Sequence, residues 1–226
     1  MVKELNGDCT IYCFEPILET YGLLSKNINV LKESFADSDF RAHCINKGVS
    51  DFEGSSIFNY YPGSPQSSTY SEVGVNAYSE GLEILKKELM ENPDKIDDYY
   101  PKGRTKSLSE GLKKDLIPLL CKSLSTKREE ICKITTLENI FYDYKIENVN
   151  LLKIDVEGAE LDVINGLPKN MWQKVDQVLV EIHDYDEALK KITQIFESMD
   201  YNVAYYQDGK FTDRQIKIYN LLATRV

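Results

Sequence analysis

The sequence predicts an α/β fold whose mostly parallel sheet ends in an antiparallel hairpin, and three observations carry that expectation. Apolar, β-branched runs bounded by turn residues recur at 10–14, 41–46, 150–156, 177–183, 202–207 and 217–224. Helical patterns separate the first four runs, and strands alternating with helices pair in parallel through crossovers. The last two runs are joined by the polar stretch 207–216 with its Asp208-Gly209 pair, a hairpin signal that makes the final pair antiparallel.

The first run closes on Cys13-Phe14-Glu15-Pro16, where the proline stops the strand and leads into a helix over 18–31. In the second, His43 lies inside Ala42-His43-Cys44-Ile45 and reads as a core residue. The residues between that run and Thr135 differ in character. Stretch 55–76 has the Ser, Tyr, Pro and Gly content of a loop, and 79–92 and 107–120 read as helices with apolar positions at Leu82, Ile84, Leu85 and Leu89 and at Leu112, Leu116, Leu119 and Leu120. An insert this long with helices of its own predicts an ordered helical cap over 55–132. A helix over 135–145 opens with a capping box of Thr135 and Glu138. Leu151-Leu152-Lys153-Ile154-Asp155-Val156 is almost continuously apolar, as in a strand covered on both faces at the centre of a sheet. After 177–183, Ala188, Ile192, Ile195, Phe196 and Met199 share one helical face.

Composition narrows the function classes. With 226 residues and 42% hydrophobic content the chain can bury one substantial core, so 1–226 is expected to be a single domain. Lys+Arg 27 against Asp+Glu 37 gives a net charge of −10, which argues against nucleic acid and anionic membrane as partners. Five cysteines without a CxxC pair, and only two histidines, argue against structural zinc and against a disulfide framework. The chain has no apolar run of membrane-spanning length and no signal-peptide core after Met1, so a reducing, cytoplasmic setting is expected.

Three strand ends carry candidate chemistry. Glu15 stands where nucleotide-type sheets place an acid for ribose hydroxyls, though a solvated strand-end carboxylate would look the same. Asp155, with Glu157 just beyond it, ends the central run, and ligands in open α/β sheets bind outside such carboxyl ends. Glu160 falls in the first turn of the next helix, where the macrodipole alone accounts for an acid. His183 ends the neighbouring strand on the same face as Glu181, suited to take a proton near neutral pH or simply to bond a loop carbonyl, while Asp184 can cap the following helix. Asp155, Glu157 and Asp184 offer oxygen ligands but form no recognisable metal loop, so no metal is expected.

Leu151 through Glu160 resembles the signature of FkbM-type methyltransferases, and Phe14-Glu15-Pro16 and Ile134-Thr135-Thr136-Leu137 match further segments of that family. The downstream half, from Trp172 through Val180-Glu181-Ile182-His183-Asp184 to Tyr219-Asn220-Leu221-Leu222, is most similar to FkbM-type domains of polyketide and peptide synthases, as is Tyr61-Pro62-Gly63-Ser64. The resemblance implies a Rossmann-like class I methyltransferase sheet and S-adenosylmethionine as cofactor. The implied reaction is methyl transfer to a hydroxyl or carboxyl oxygen of a small molecule or secondary metabolite. It further implies cofactor binding by Phe14, Glu15 and Asp155, catalytic roles for Asp155, Glu157 and His183 with His183 as general base, and a carrier-bound intermediate or other synthase domains as partners.

One departure stands out. The strand and Gly-rich turn that the family places ahead of Glu15 have no counterpart, since Gly7 is the sole glycine before it and Met1 to Leu5 suffices only for the tail of a helix. The expected sheet therefore lacks its first strand, and its exposed edges predict marginal stability. A fragment of a longer chain or a truncated gene model is the expectation, with a non-catalytic docking module as the alternative function. An NAD-dependent oxidoreductase also needs a Gly-rich turn and leaves Lys153–Glu160 unexplained. The Tyr- and Ser-rich insert is expected to form the acceptor lid, with Tyr60 and Tyr61 touching the acceptor.

Overall fold

The computed structural model describes residues 9–36, 38–100, 103–207 and 216–225, and the expected helix tail before Leu5 and the hairpin loop at Asp208-Gly209 lie outside them. The chain is mixed α/β, with nine strands and six α-helices among the described residues. Strand β1 (Thr10–Phe14), helix α1 (Leu18–Ser34) and strand β2 (Arg41–Ile45) come first, with β1 and β2 paired in parallel. Next come β3 (Gly48–Ser50), β4 (Gly54–Tyr60), α2 (Glu72–Glu91), α3 (Glu110–Ser125) and β5 (Arg128–Thr136). The remainder is α4 (Leu137–Asp143), β6 (Leu152–Ile154), α5 (Glu160–Asn165), β7 (Gln177–Asp184), α6 (Ala188–Glu197), β8 (Tyr201–Gln207) and β9 (Lys217–Arg225).

These strands form three sheets, in the orders β1-β2, β3-β5-β4 and β6-β7-β9-β8. The single, mostly parallel sheet expected from the sequence is thus divided. Within the four-stranded sheet only β6 and β7 run parallel; β9 pairs antiparallel with β8, as the hairpin signal predicts, and also with β7. Strand β6 is also shorter than its apolar run and lies at the edge of that sheet, not at its centre.

Three strands, β3, β4 and β5, lie outside the expected runs. Stretch 55–76 begins as β4, whose pairing with β5 alternates exposed and covered residues, so Phe58 and Tyr60 are buried while Ile57 is exposed. The insert is therefore bracketed by an antiparallel β pair from which α2 and α3 project. The hydroxyl capping α4 belongs to Thr136, which accepts from the Asn139 amide at 3.1 Å; the predicted cap, Thr135, is buried within β5. Thr135 lies on the face of β5 opposite Cys132 and Ile134, and both faces are covered at this point.

The main core gathers Val178, Val180 and Ile182 of β7, Ile192 and Phe196 of α6, Leu221 and Ala223 of β9, and Trp172. Burying each large apolar side chain contributes roughly 1.5–3 kcal/mol relative to leaving it in water. Phe196 meets Trp172 and Tyr201 edge to face at 5.3 and 5.5 Å, and the Trp172 indole donates to the Leu167 carbonyl. The apolar stripe predicted for α6 is the face that packs on β7 and β8. His43, expected in the core, is instead exposed on β2 and stacks on Tyr12 at 4.9 Å, because it occupies an outward position of the alternation.

Candidate active site

The carboxyl ends of β6 and β7 lie side by side, since Leu152, Lys153 and Ile154 pair in parallel with Val178, Leu179 and Val180. Chain direction therefore delivers the residues after Ile154 and those after Val180 to one place. There Asp155, Glu157 and Glu181 each bring a carboxylate oxygen within 4.8 Å of the others. Burial is the main reason the Glu181 carboxyl is held above the usual carboxylate range, and repulsion from Asp155 and Glu157 adds to it. Lys153 donates to Asp155 Oδ2 at 2.6 Å across the exposed rim.

Beyond Asp155 the backbone turns through two successive left-handed residues, Glu157 at φ 53° and Gly158 at φ 90°. Glycine takes this conformation freely, whereas Glu157 adopts it at a cost of about 1–2 kcal/mol. The surroundings hold it there. The Thr69 hydroxyl donates to the Glu157 carbonyl and the Ser71 hydroxyl to the Gly158 carbonyl, both at 2.8 Å. The Gly158 amide donates to Glu160 Oε1, also at 2.8 Å. Ser71 precedes α2, where a serine normally caps its own helix, but its hydroxyl bridges to the turn. Insert and turn meet backbone to backbone: a methyl group on Gly74 would lie 2.0 Å from the Glu157 carbonyl oxygen.

His183 is buried behind this turn, 4% exposed. Its Nδ1 lies 3.0 Å from Glu160 Oε1 and its Nε2 3.4 Å from Glu157 Oε2. Burial opposes charging the ring, but the bonds to Glu157 and Glu160 outweigh it and the pKa is pushed up to about 10. At neutral pH the imidazole therefore already carries the proton that a general base must accept. Glu160, expected to serve only the helix dipole, is 3% exposed and ties ring to turn. No pattern of spacing marks it, because its partner sits on another strand. Asp184 accepts from the Leu189 amide at 3.0 Å, capping α6 as its position predicted.

Glu15 stands elsewhere, at the end of β1. Its Oε1 accepts from the Ile17 amide at 2.8 Å, and burial raises its pKa while that bond lowers it. Asn46 donates to the carbonyls of Glu15 and Pro16 and so ties the turn to β2. Phe14 packs on the main core. A groove lined by Pro16, Leu18, Asn46 and Cys132 runs beside this turn, and none of the three clustered carboxylates lines it. The structure thus brings together Asp155, Glu157 and His183, adds Glu160 and Glu181 to them, and shows no hydrogen bond among the described residues from Glu15 to that group. Tyr60 and Tyr61, expected at the acceptor, are 1% and 4% exposed; Tyr60 packs beneath Arg128 and Tyr61 against Tyr78, so neither lines an open lid.

Among the described residues no helix is long and apolar enough to cross a membrane. Residues 1–203 match the family described as the methyltransferase FkbM domain. The chain is 27% identical over 225 residues to "Methyltransferase 1" of Beauveria bassiana, covering 99% of this chain and 75% of that protein. It is 30% identical over 114 residues to "31-O-demethyl-FK506 methyltransferase FkbM" of Streptomyces tacrolimicus, covering 50% of this chain and 44% of that one. It is also 30% identical over 137 residues to "AMB antimetabolite synthetase AmbE" of Pseudomonas aeruginosa, covering 61% of this chain but 6% of that protein. No solved structure matches.

Proposed function

The chain belongs to the FkbM methyltransferase domain family, and from that premise we propose that it transfers a methyl group from S-adenosylmethionine to a hydroxyl or carboxyl oxygen of a small molecule of secondary metabolism. Residues 1–226 act on this reading as one Rossmann-like methyltransferase domain, with β1-β2 and β6-β7-β9-β8 as two parts of its sheet and 55–132 as its insert. The observation that carries the reading is the cluster of Asp155, Glu157 and Glu181 at the joined carboxyl ends of β6 and β7.

The donor set fits a cationic cofactor at one end and a ribose at another. Counting Glu160, four carboxylates face the Lys153 ammonium and the charged His183 ring, so the site stays net negative, which suits a sulfonium, and Asp155 at the exposed rim is the residue to face it. Glu15 has Oε1 committed to the Ile17 amide and keeps Oε2 for a ribose hydroxyl, with Phe14 stiffening the strand end from below. When bound, the cofactor supplies an electrophilic methyl group. The protein's task is to hold the acceptor oxygen in line, exclude water and take up a proton where the acceptor is a hydroxyl. Glu181 is the suited acceptor of that proton, because its raised pKa makes it a stronger base than an ordinary carboxylate. Glu157 orients the acceptor beside it, and His183 acts through Glu157.

The test is transfer of a labelled methyl group from S-adenosylmethionine to a panel of hydroxy and carboxy compounds. Labelled product with the native chain, and a loss of a hundredfold or more with Asp155→Asn, supports the reading. Labelling that Asp155→Asn leaves intact removes the site assignment, and folded protein inert toward every acceptor favours a docking module.

A further inference from the structure

Two carboxylates on the two nitrogens of one buried ring constrain its protonation. A neutral imidazole has one N–H donor and one lone pair, and an ionised carboxylate accepts only. Glu160 Oε1 is hydrogen-bonded to Nδ1 at 3.0 Å and Glu157 Oε2 lies at ion-pair distance, 3.4 Å, from Nε2, an arrangement that favours a ring with hydrogen on both nitrogens. The Glu160 oxygen that meets the ring is the one that accepts the Gly158 amide, so ring, turn and helix α5 share a single atom. Glu157 is then held at its side chain by the ring and at its carbonyl by Thr69. The ring also faces Glu181 on its own strand; across the ladder on β9 its partner is the apolar Ile218.

We propose that His183 and Glu160 form a buried positioning pair: Glu160 fixes the charged ring, and the ring holds the Glu157 carboxylate beside Asp155 and Glu181 without itself taking the acceptor's proton. The role in catalysis rests on the methyl-transfer reading, whereas the charged pair does not. Without the pair, Glu157 loses its anchor and its left-handed backbone loses part of what holds it. Misplacing such a group by about 1 Å lowers kcat roughly a hundredfold with little effect on cofactor binding.

Nitrogen-15 NMR of the histidine-labelled chain reads the ring directly, with the His183 signal assigned by its loss in His183→Gln. The expected result is a His183 ring carrying both protons from pH 6 through pH 8, and a lowered His183 midpoint in Glu160→Gln. Should that variant fail to fold, Glu157→Gln removes the second carboxylate and lowers the midpoint in the same sense. A folded native chain whose His183 titrates between pH 6 and 7 overturns the proposal. In the transfer assay, His183→Gln is expected to lower kcat while leaving both the cofactor KM and the shape of the pH profile unchanged. A native acidic limb that disappears in His183→Gln makes His183 the base and overturns the positioning role. A doubly protonated ring in a chain that transfers no methyl group upholds the pair and sinks the methyl-transfer reading alone.

Discussion

The Nδ1 of His183 lies 3.0 Å from Oε1 of Glu160, with both side chains all but closed to solvent. Twenty-three positions separate them in the chain, and the parallel pairing of β6 with β7 is what brings them together. This contact has a pH signature. A histidine has a pKa near 6.5 when unfolded and here about 10 when folded. The ring's contribution is therefore complete below about pH 6.5, shrinks as pH rises and is gone above about 10. Urea midpoints at pH 6.5 and 9.5 are expected to fall further for the native chain than for His183→Gln; equal falls would mean an unshifted histidine.

Two glycines give opposite expectations for the same substitution. Gly74→Ala places a methyl group 2.0 Å from the Glu157 carbonyl oxygen, against backbone that cannot yield cheaply, and is expected to destabilise by roughly 1–3 kcal/mol. Gly22→Ala, inside α1 with nothing within 4 Å, is expected to stabilise by about 0.5–1 kcal/mol. Denaturant melts of both variants check the pair.

The seam between insert and turn rests on hydroxyls. Ser71→Ala leaves the Gly158 carbonyl without its donor, and Tyr70→Phe removes a hydroxyl that joins Ser50 to Asp162, 2.9 Å from each. Each is expected to cost about 1–2 kcal/mol. Hydrogen exchange is expected to quicken at Glu157 and Gly158 in Ser71→Ala, and unchanged protection there would show that the turn holds itself.

Tyr60 and Tyr61 are structural. Both are buried, so replacing either by Ala is expected to cost roughly 3 kcal/mol or more through cavity formation. Thermal melts are expected to report the loss while the acceptor KM of any folded Tyr61→Phe protein stays at the native value.

Much of the secondary structure was legible because periodicity reports burial. Strands β1, β2, β7, β8 and β9 follow their apolar runs, and the α6 stripe is the face that packs. Strand β4 is not legible because Gly54-Ser55-Ser56-Ile57-Phe58-Asn59-Tyr60 has loop composition, with Ser55, Ile57 and Asn59 on its outward face giving no apolar–polar alternation. The division into three sheets was not legible, since run length shows neither partner nor edge. Asp155 and Glu157 stand out in the sequence as candidates because motif and strand end coincide. Glu160 reads from the sequence as a helix-dipole residue and Glu181 only as sharing a face with His183, because their place in a ring contact and a cluster is assembled by tertiary pairing.

The most direct test is calorimetric titration of the folded chain with S-adenosylmethionine and with S-adenosylhomocysteine, alongside Glu15→Ala and Asp155→Asn. The two ligands differ in the sulfonium charge, so an acidic cluster facing that charge has a distinct signature. The predicted result is micromolar binding of both ligands, weakened for both in Glu15→Ala, and weakened more for S-adenosylmethionine than for S-adenosylhomocysteine in Asp155→Asn. Absence of binding by folded protein, or equal loss of both ligands in Asp155→Asn, would contradict a cofactor site built on these carboxylates.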